Sequence, residues 1–279
     1  MHDETNELVR ILDLEPIELD MFRGHTPPGD RGRIYGGQVV AQALTAAYRT
    51  VKDRVCCSMH AYFIRPGDPS IPILYVAERD RDGKSFSVRR VVAIQNGAQI
   101  FNLAAVFQTP EDGLEHEAQM PDVPGPEGLL TEDELRRQAG HGQGRQRPVD
   151  VRPVDPAPWG DLTPRSPHYS VWFRARASVG PDVAVNQCAL AYGSDMSLLD
   201  ASLRPHPVPW DELQVASLDH ALWFHRPSDF AEWHLYVQDS PSASGGRGFN
   251  RGLIFTQDGR LVASAAQEAL IRRRPGGSR

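Results

Sequence analysis

What this sequence lacks removes most functional classes. Of 279 residues only three are cysteine. Cys56 and Cys57 are adjacent and Cys188 lies far away, which offers neither a metal-ligand spacing nor a disulfide framework. All three are expected to be structural thiols in a reducing compartment. No stretch approaches the roughly 18 consecutive apolar residues of a membrane span. The opening MHDETNELVR lacks the basic and apolar regions of a secretory signal, and the ending Gly277-Ser278-Arg279 is not a Ser-Lys-Leu address. A cytoplasmic location is therefore expected. Basic charge is not in excess: 30 Lys plus Arg face 36 Asp plus Glu, a net charge of -6. That argues against a broad nucleic-acid-binding surface. There is no Gly-x-Ser-x-Gly nucleophile elbow. The run Ser244-Gly245-Gly246-Arg247-Gly248 has neither the spacing nor the Lys-Ser/Thr end of a P-loop.

What is present begins with proline. Ten of the 23 prolines fall between Pro110 and Pro167, together with Gly140-His141-Gly142-Gln143-Gly144-Arg145. Proline removes backbone donors and glycine raises the cost of ordering, so this stretch is not expected to build a packed core. It divides the chain into an N-terminal unit at 1–115, a linker at 116–165 and a C-terminal unit at 166–279. One short helix at 131–138 is predicted inside the linker, with Thr131 as N-cap and Glu134 completing a capping box.

The two flanking units resemble each other. Tyr35-Gly36-Gly37-Gln38 matches Tyr192-Gly193-Ser194-Asp195 at an offset of 157 residues, and Arg65-Pro66 matches Arg226-Pro227 at 161. Gln95-Asn96-Gly97 matches Gln257-Asp258-Gly259 at 162. The order is preserved and the drift is small, as expected of a duplicated unit.

Each copy reads as a strand, a helix, then several strands. Ile17, Leu19 and Met21 alternate with Glu18 and Asp20, the period of a half-buried strand. The segment from Gln38 to Tyr48 has no hydrophilic face, which predicts a helix buried nearly all round. Strands follow at 60–65, 72–79, 85–95 and 99–108. In the second copy a strand carries Trp172, Arg174 and Arg176. A helical region spans 182–203, broken near Gly193-Ser194, and strands follow at 214–225, 232–239, 248–256 and 261–271. Asn96-Gly97 and Asp258-Gly259 suit tight hairpins. Residues 262–270 have high intrinsic helix propensity, but the preceding turn and the repeat both require a strand there.

At this point the residues carry a family likeness. Gly36-Gly37-Gln38-Val39-Val40-Ala41-Gln42-Ala43, His60-Ala61-Tyr62-Phe63-Ile64-Arg65-Pro66-Gly67-Asp68 and Asp82-Gly83-Lys84-Ser85-Phe86 mark the first half. Ala191-Tyr192-Gly193-Ser194-Asp195, Leu218-Asp219-His220 and Trp223-Phe224-His225-Arg226-Pro227 mark the second. The chain resembles the acyl-CoA thioesterase II family. The resemblance implies an α+β double hot-dog fold, two tandem units that each wrap an antiparallel sheet around a central helix. It implies hydrolysis of acyl-CoA to CoA and a carboxylic acid, without metal or cofactor. It also implies that such chains can pair further, as dimers of double hot dogs. The family's Asp, hydroxyl and Gln that hold the hydrolytic water fall on Asp195, Ser217 and Gln267. Ser217 stands where the family commonly has Thr, so the hydroxyl is kept and the rotamer is less constrained. Two rivals remain at this stage, a hot-dog enoyl-CoA hydratase and a non-catalytic acyl-CoA-binding protein.

The local context adds expectations about chemistry. Asp195 is read in the first turn of a helix, near a positive macrodipole end that would favour its carboxylate and make it a weak base. Gln38 is read as its counterpart in the first copy, and Ala105 as the counterpart of Gln267, leaving one working site built mainly by the second half. His60 and His220 are read as repeat partners with a shared structural role.

Overall fold

The stretch from Gln38 to Tyr48, without a hydrophilic face, folds as part of a buried helix, and a second buried helix forms within the helical region of the second copy. The computed structural model describes residues 6–29, 32–141, 146–158 and 160–274, so residues 142–145 and the ending at 277–279 lie outside it. The first half runs α1 (Glu7–Leu12), β1 (Glu15–Glu18), β2 (Met21–Gly24), α2 (Gly36–Tyr48), β3 (Val55–Phe63), β4 (Ile73–Asp82), β5 (Phe86–Gln95) and β6 (Ala98–Gln108). The connection holds α3 (Glu132–Gln138) and β7 (Val149–Pro153). The second half runs β8 (His168–Ala175), α4 (Val183–Ser194), α5 (Asp200–Leu203), β9 (Leu213–Ser217) and β10 (Asp219–Phe224). It ends with β11 (His234–Ser244), β12 (Arg247–Thr256) and β13 (Leu261–Arg273).

The strands form one sheet in the order β1-β2-β4-β5-β6-β3-β10-β13-β12-β11-β8-β7, with β9 also on β13. The halves join edge to edge at β3 and β10, where His60 lies opposite Ala221 and Ala61 opposite His220. On the inner face α2 packs against strands β3 to β6, and α4 against β3 and β8. The helices run antiparallel to each other. Tyr35, at the start of α2, meets Tyr192 near the end of α4, and Tyr48 at the far end of α2 hydrogen-bonds Gln187. This is the double hot dog that the resemblance implied, with the core between the helices and the inner face of the sheet.

Three local features differ from the expectations. The alternating segment at Ile17 to Met21 is not one strand but the hairpin β1–β2, turning at Asp20 with φ +57°. Apolar alternation runs through both arms of a hairpin and so hides the turn, and Asp tolerates the left-handed region better than most residues. The strand expected at 214–225 is two, β9 and β10, stepped at Leu218. The hairpins at Asn96-Gly97 and Asp258-Gly259 also differ, since both Asn96 and Gly97 have positive φ whereas in the second only Gly259 does. Residues 262–270 do form strand: Ala263, Ala265, Gln267 and Ala269 are all buried on the inner face. Pairing on both sides outweighs their helix propensity.

The connection is more ordered than its proline content suggested. α3 forms with the capping box of Thr131 and Glu134 in place, and β7 pairs with β8 from Val149–Ala175 to Pro153–Val171. Met120, Val123, Leu129 and Val154 pack on Trp172, Trp233, Leu235, Phe255 and Leu261. The Trp172 indole N–H donates to the Pro124 carbonyl at 2.8 Å. Proline is unsuited to a central strand but compatible with extended chain lying across a finished sheet, because its missing donor needs no partner.

Candidate active site

Asp195 sits at the end of a helix, not the start. α4 closes at Ser194, and Asp195 follows it at φ -85°, ψ -6°; the next helix begins only at Asp200. Its own helix therefore offers it the carbonyl end of the macrodipole. The positive end comes from the other half of the chain, where the Gly37 amide in the first turn of α2 opposes the rise in the Asp195 pKa. Tyr35, the N-cap of α2, makes no side-chain cap, so the first amides of α2 keep the open donors of a helix start. The two glycines make this approach sterically open. A Cβ on Gly36 would lie 2.7 Å from Asp195 Oδ2, and one on Gly37 would lie 2.4 Å from the Tyr192 carbonyl.

The electrostatics also reverse the expectation. Asp195 is 7% exposed, and burial raises its pKa above the ordinary 3.8, against the opposing pull of His220, Gln267, Gly37 and Ser217. Desolvation penalises the charged form. A raised pKa makes the carboxylate a better proton acceptor than a helix-start aspartate would be.

Ser217 and Gln267 are brought beside it by the step between β9 and β10. β13 pairs with β9 as far as Ala269 opposite Ser217, and with β10 from Ala266 opposite Ala221. In between, Leu218 N–H donates to the Glu268 carbonyl at 2.9 Å, and Asp219 Oδ1 accepts the Glu268 amide at 2.6 Å. Irregular strand pairing of this kind re-aims side chains next to sites. Gln267 Nε2 donates to Asp195 Oδ1 at 3.2 Å and also to Ser217 Oγ. Ser217 Oγ in turn donates to Asp195 Oδ1 at 3.4 Å. The structure thus gathers Asp195, Ser217 and Gln267 into one hydrogen-bonded group.

Other members of this group were not anticipated. His220 is fully buried, with Nδ1 3.0 Å from Gln267 Oε1 and Nε2 2.9 Å from Ser194 Oγ. His60 does not share its environment. It points to the outer face and packs edge-on against Trp223, with ring centroids 5.1 Å apart. The alternation of His220 with Leu222 and Phe224 marked His220 as inward-facing, although nothing local named its partners. The match of Tyr35 to Tyr192 also fails as an equivalence, since one precedes α2 and the other lies near the end of α4. The two residues instead touch, and Tyr35 Oη donates to the Tyr192 carbonyl at 2.9 Å. Gln38 is therefore not the counterpart of Asp195. Ala105 does correspond to Gln267, lying opposite Arg89 on β5 as Gln267 lies opposite Asn250 on β12.

Asp195 and Ser217 line a cavity of about 640 Å³ with apolar walls that include Ile34, Val39, Phe63, Phe101, Leu199 and Val215. Arg33, Arg65 and Arg147 also line it. A second cavity, of about 680 Å³, shares Tyr35, Arg147, Met196 and Trp210 with the first. Its walls come largely from the connection and α5, and they are more polar, including Glu132, Arg165, Asp200 and Arg204. Asp200 is pushed up to about 7 by burial and by the charge of Glu132. Arg147 lies over the Tyr35 ring, 4.1 Å from its centroid, where the two cavities meet. Among the described residues no cluster of three or more His, Cys, Asp or Glu could hold a metal ion, and no helix is long and apolar enough to cross a membrane.

Comparison with known proteins is consistent across both halves. Residues 141–270 match the family described as acyl-CoA thioesterase, and residues 25–108 match the acyl-CoA thioesterase N-terminal domain. The chain is 39% identical to acyl-CoA thioesterase 2 of Haemophilus influenzae, over 98% of its own length and 99% of that protein. It is also 39% identical to human acyl-coenzyme A thioesterase 8, over 95% of its length and 88% of the relative. Among solved structures, the acyl-CoA thioesterase II TesB2 from Mycobacterium marinum matches with a TM-score of 0.81 and 41% identity. That match covers 98% of this chain and all of the other.

Proposed function

The chain belongs to the acyl-CoA thioesterase family of thioester hydrolases, and we propose that it cleaves acyl-CoA by direct attack of a water held by Asp195, Ser217 and Gln267. The observation that carries this reading is the hydrogen-bonded convergence of those three side chains, two of which, Asp195 and Ser217, line a cavity. Water gives its proton to the Asp195 carboxylate as its oxygen bonds the thioester carbonyl carbon. The tetrahedral intermediate then collapses, the carbon–sulfur bond breaks, and the CoA sulfur leaves as a thiol with the proton that Asp195 had taken, which restores the carboxylate. Ser217 and Gln267 hold the water in line, a gain in positioning rather than in chemistry. Gly36 begins α2 and lines the same cavity, so its amide is the donor we assign to the developing oxyanion, an interaction worth roughly 2.7–4 kcal/mol.

The cavities suit the two limbs of such a substrate. The apolar one fits an acyl chain, and the polar one beyond Tyr35 and Arg147 fits the amide- and phosphate-bearing limb. The three free thiols fit a reducing compartment, which we read as the cytoplasm. Tyr62 and Trp223, 59% and 38% exposed on the outer face near the β3–β10 seam, fit pairing of two chains; the mass in solution tests this.

Free-thiol release from a panel of acyl-CoAs tests the reaction. Thiol is expected from saturated acyl-CoA, and water addition to crotonyl-CoA without thiol release would favour a hydratase. Asp195→Asn should lower kcat by roughly 10²–10⁴-fold, the usual range for a lost general base, while keeping the fold. An Asn variant with full turnover would remove Asp195 from the mechanism.

A further inference from the structure

Gln267 serves Asp195 and Ser217 only if its amide points one way. With Nε2 toward them, both of its N–H groups find oxygen acceptors. Turned over, it would set a carbonyl oxygen against a carboxylate. The terminal torsion of a glutamine is soft, so the choice rests on whatever faces Oε1.

That group is His220 Nδ1, at 3.0 Å. An N–H on Nδ1 donates to Oε1 in the working orientation and would confront an N–H in the flipped one. The opposite ring nitrogen lies 2.9 Å from Ser194 Oγ, the side chain immediately before Asp195. His220 is fully buried, so solvent does not stand in for it. Three elements are joined in this way: the end of α4, β10 and β13.

We infer that His220, protonated at Nδ1, is a positioning residue that sets the orientation of the Gln267 amide and ties it to the segment carrying Asp195. The inference rests on the proposed role of Gln267. A histidine that merely filled space would be indifferent to which nitrogen carries the proton, and any side chain of similar size would replace it.

Side-chain geometry supplies the test. Asn at 220 places an amide N–H near the site of Nδ1, Gln reaches only the site of Nε2, and Leu supplies neither. His220→Leu and His220→Gln should lower kcat by roughly 10–100-fold, the loss typical when a partner that orients a site ligand is removed, with KM little changed. His220→Asn should keep most of the turnover. In a Gln267→Ala background, His220→Leu should add little further loss, because the two act as one unit. Nitrogen-15 spectra of the unmodified protein should show Nδ1 protonated at neutral pH, a readout that needs no variant to fold. A bare Nδ1, full turnover in a folded His220→Gln variant, or losses that multiply with Gln267→Ala would each overturn the inference. If Gln267→Ala alone leaves turnover intact, the proposed site falls and the role of His220 falls with it. If Gln267→Ala is impaired but His220 acts independently, only the inference fails.

Discussion

Gly36, the first residue of α2, lies so close to Asp195 at the end of α4 that a Cβ on it would sit 2.7 Å from the Asp195 Oδ2. One half of the chain supplies the acid and the other supplies a helix start to face it. The proposed site is therefore shared between the two halves.

Gly36→Ala tests how closely the halves must approach. Alanine suits the helix better than glycine does, so α2 should persist, but the added Cβ would sit 2.7 Å from Asp195 Oδ2. Turnover should fall by about tenfold or more, the size of effect that small misplacements in an active site produce. Circular dichroism should be unchanged. Wild-type turnover in this variant would show that the contact is not needed.

The pH dependence follows from the raised pKa of Asp195. In the proposed mechanism the ionised carboxylate is the working base, and burial makes the folded protein hold the proton more tightly than an ordinary aspartate does. Activity is therefore lost as pH falls through a value above 3.8. The acid limb of kcat/KM, measured with acyl-CoA, reads this value in the free enzyme. A limb at or below 3.8 would contradict the assignment.

Ser217 offers a hydroxyl that threonine would also supply, so both substitutions can be made at this position. Ser217→Thr keeps the hydroxyl and restricts χ1, so turnover should equal or exceed that of the natural protein. Ser217→Ala removes a hydrogen bond to a carboxylate, commonly worth about 1.5–3 kcal/mol, and kcat should fall by about tenfold or more. Equal rates for all three would make the hydroxyl dispensable.

Asp200 provides a stability test away from the reaction. Its folded pKa is pushed up to about 7, against an ordinary 3.8, by burial and by Glu132. The native state thus binds this proton more tightly than the unfolded chain. Its contribution to stability falls as pH rises from about 4 to about 7 and is constant outside that window. Asp200→Asn should raise the melting temperature at pH 8 and leave it nearly unchanged at pH 4. An equal shift at both pH values would exclude titration of Asp200 as the cause.

Much of the fold was legible because it depends on local pattern. The segment of α2 without a hydrophilic face, the glycine turns and the capping box at Thr131 each act over a few residues. The β1–β2 hairpin was not legible, because its alternation continues unbroken through the turn at Asp20. The repeat misled at Tyr35 and Tyr192. Similar short motifs there mark opposite ends of two antiparallel helices, and their likeness reflects contact rather than equivalence.

By itself the sequence determined the two-unit α+β plan and, through family likeness, pointed to Asp195, Ser217 and Gln267 as the proposed site. These follow from residue type, period and order along the chain. The tertiary structure alone decided that Asp195 closes its helix and faces the start of another, that burial raises its pKa, and that His220 rather than His60 meets Gln267. Burial and through-space donors are set by segments far apart in sequence, such as Gly37 and Asp195, or Ser194 and His220. No local pattern encodes the distance between them.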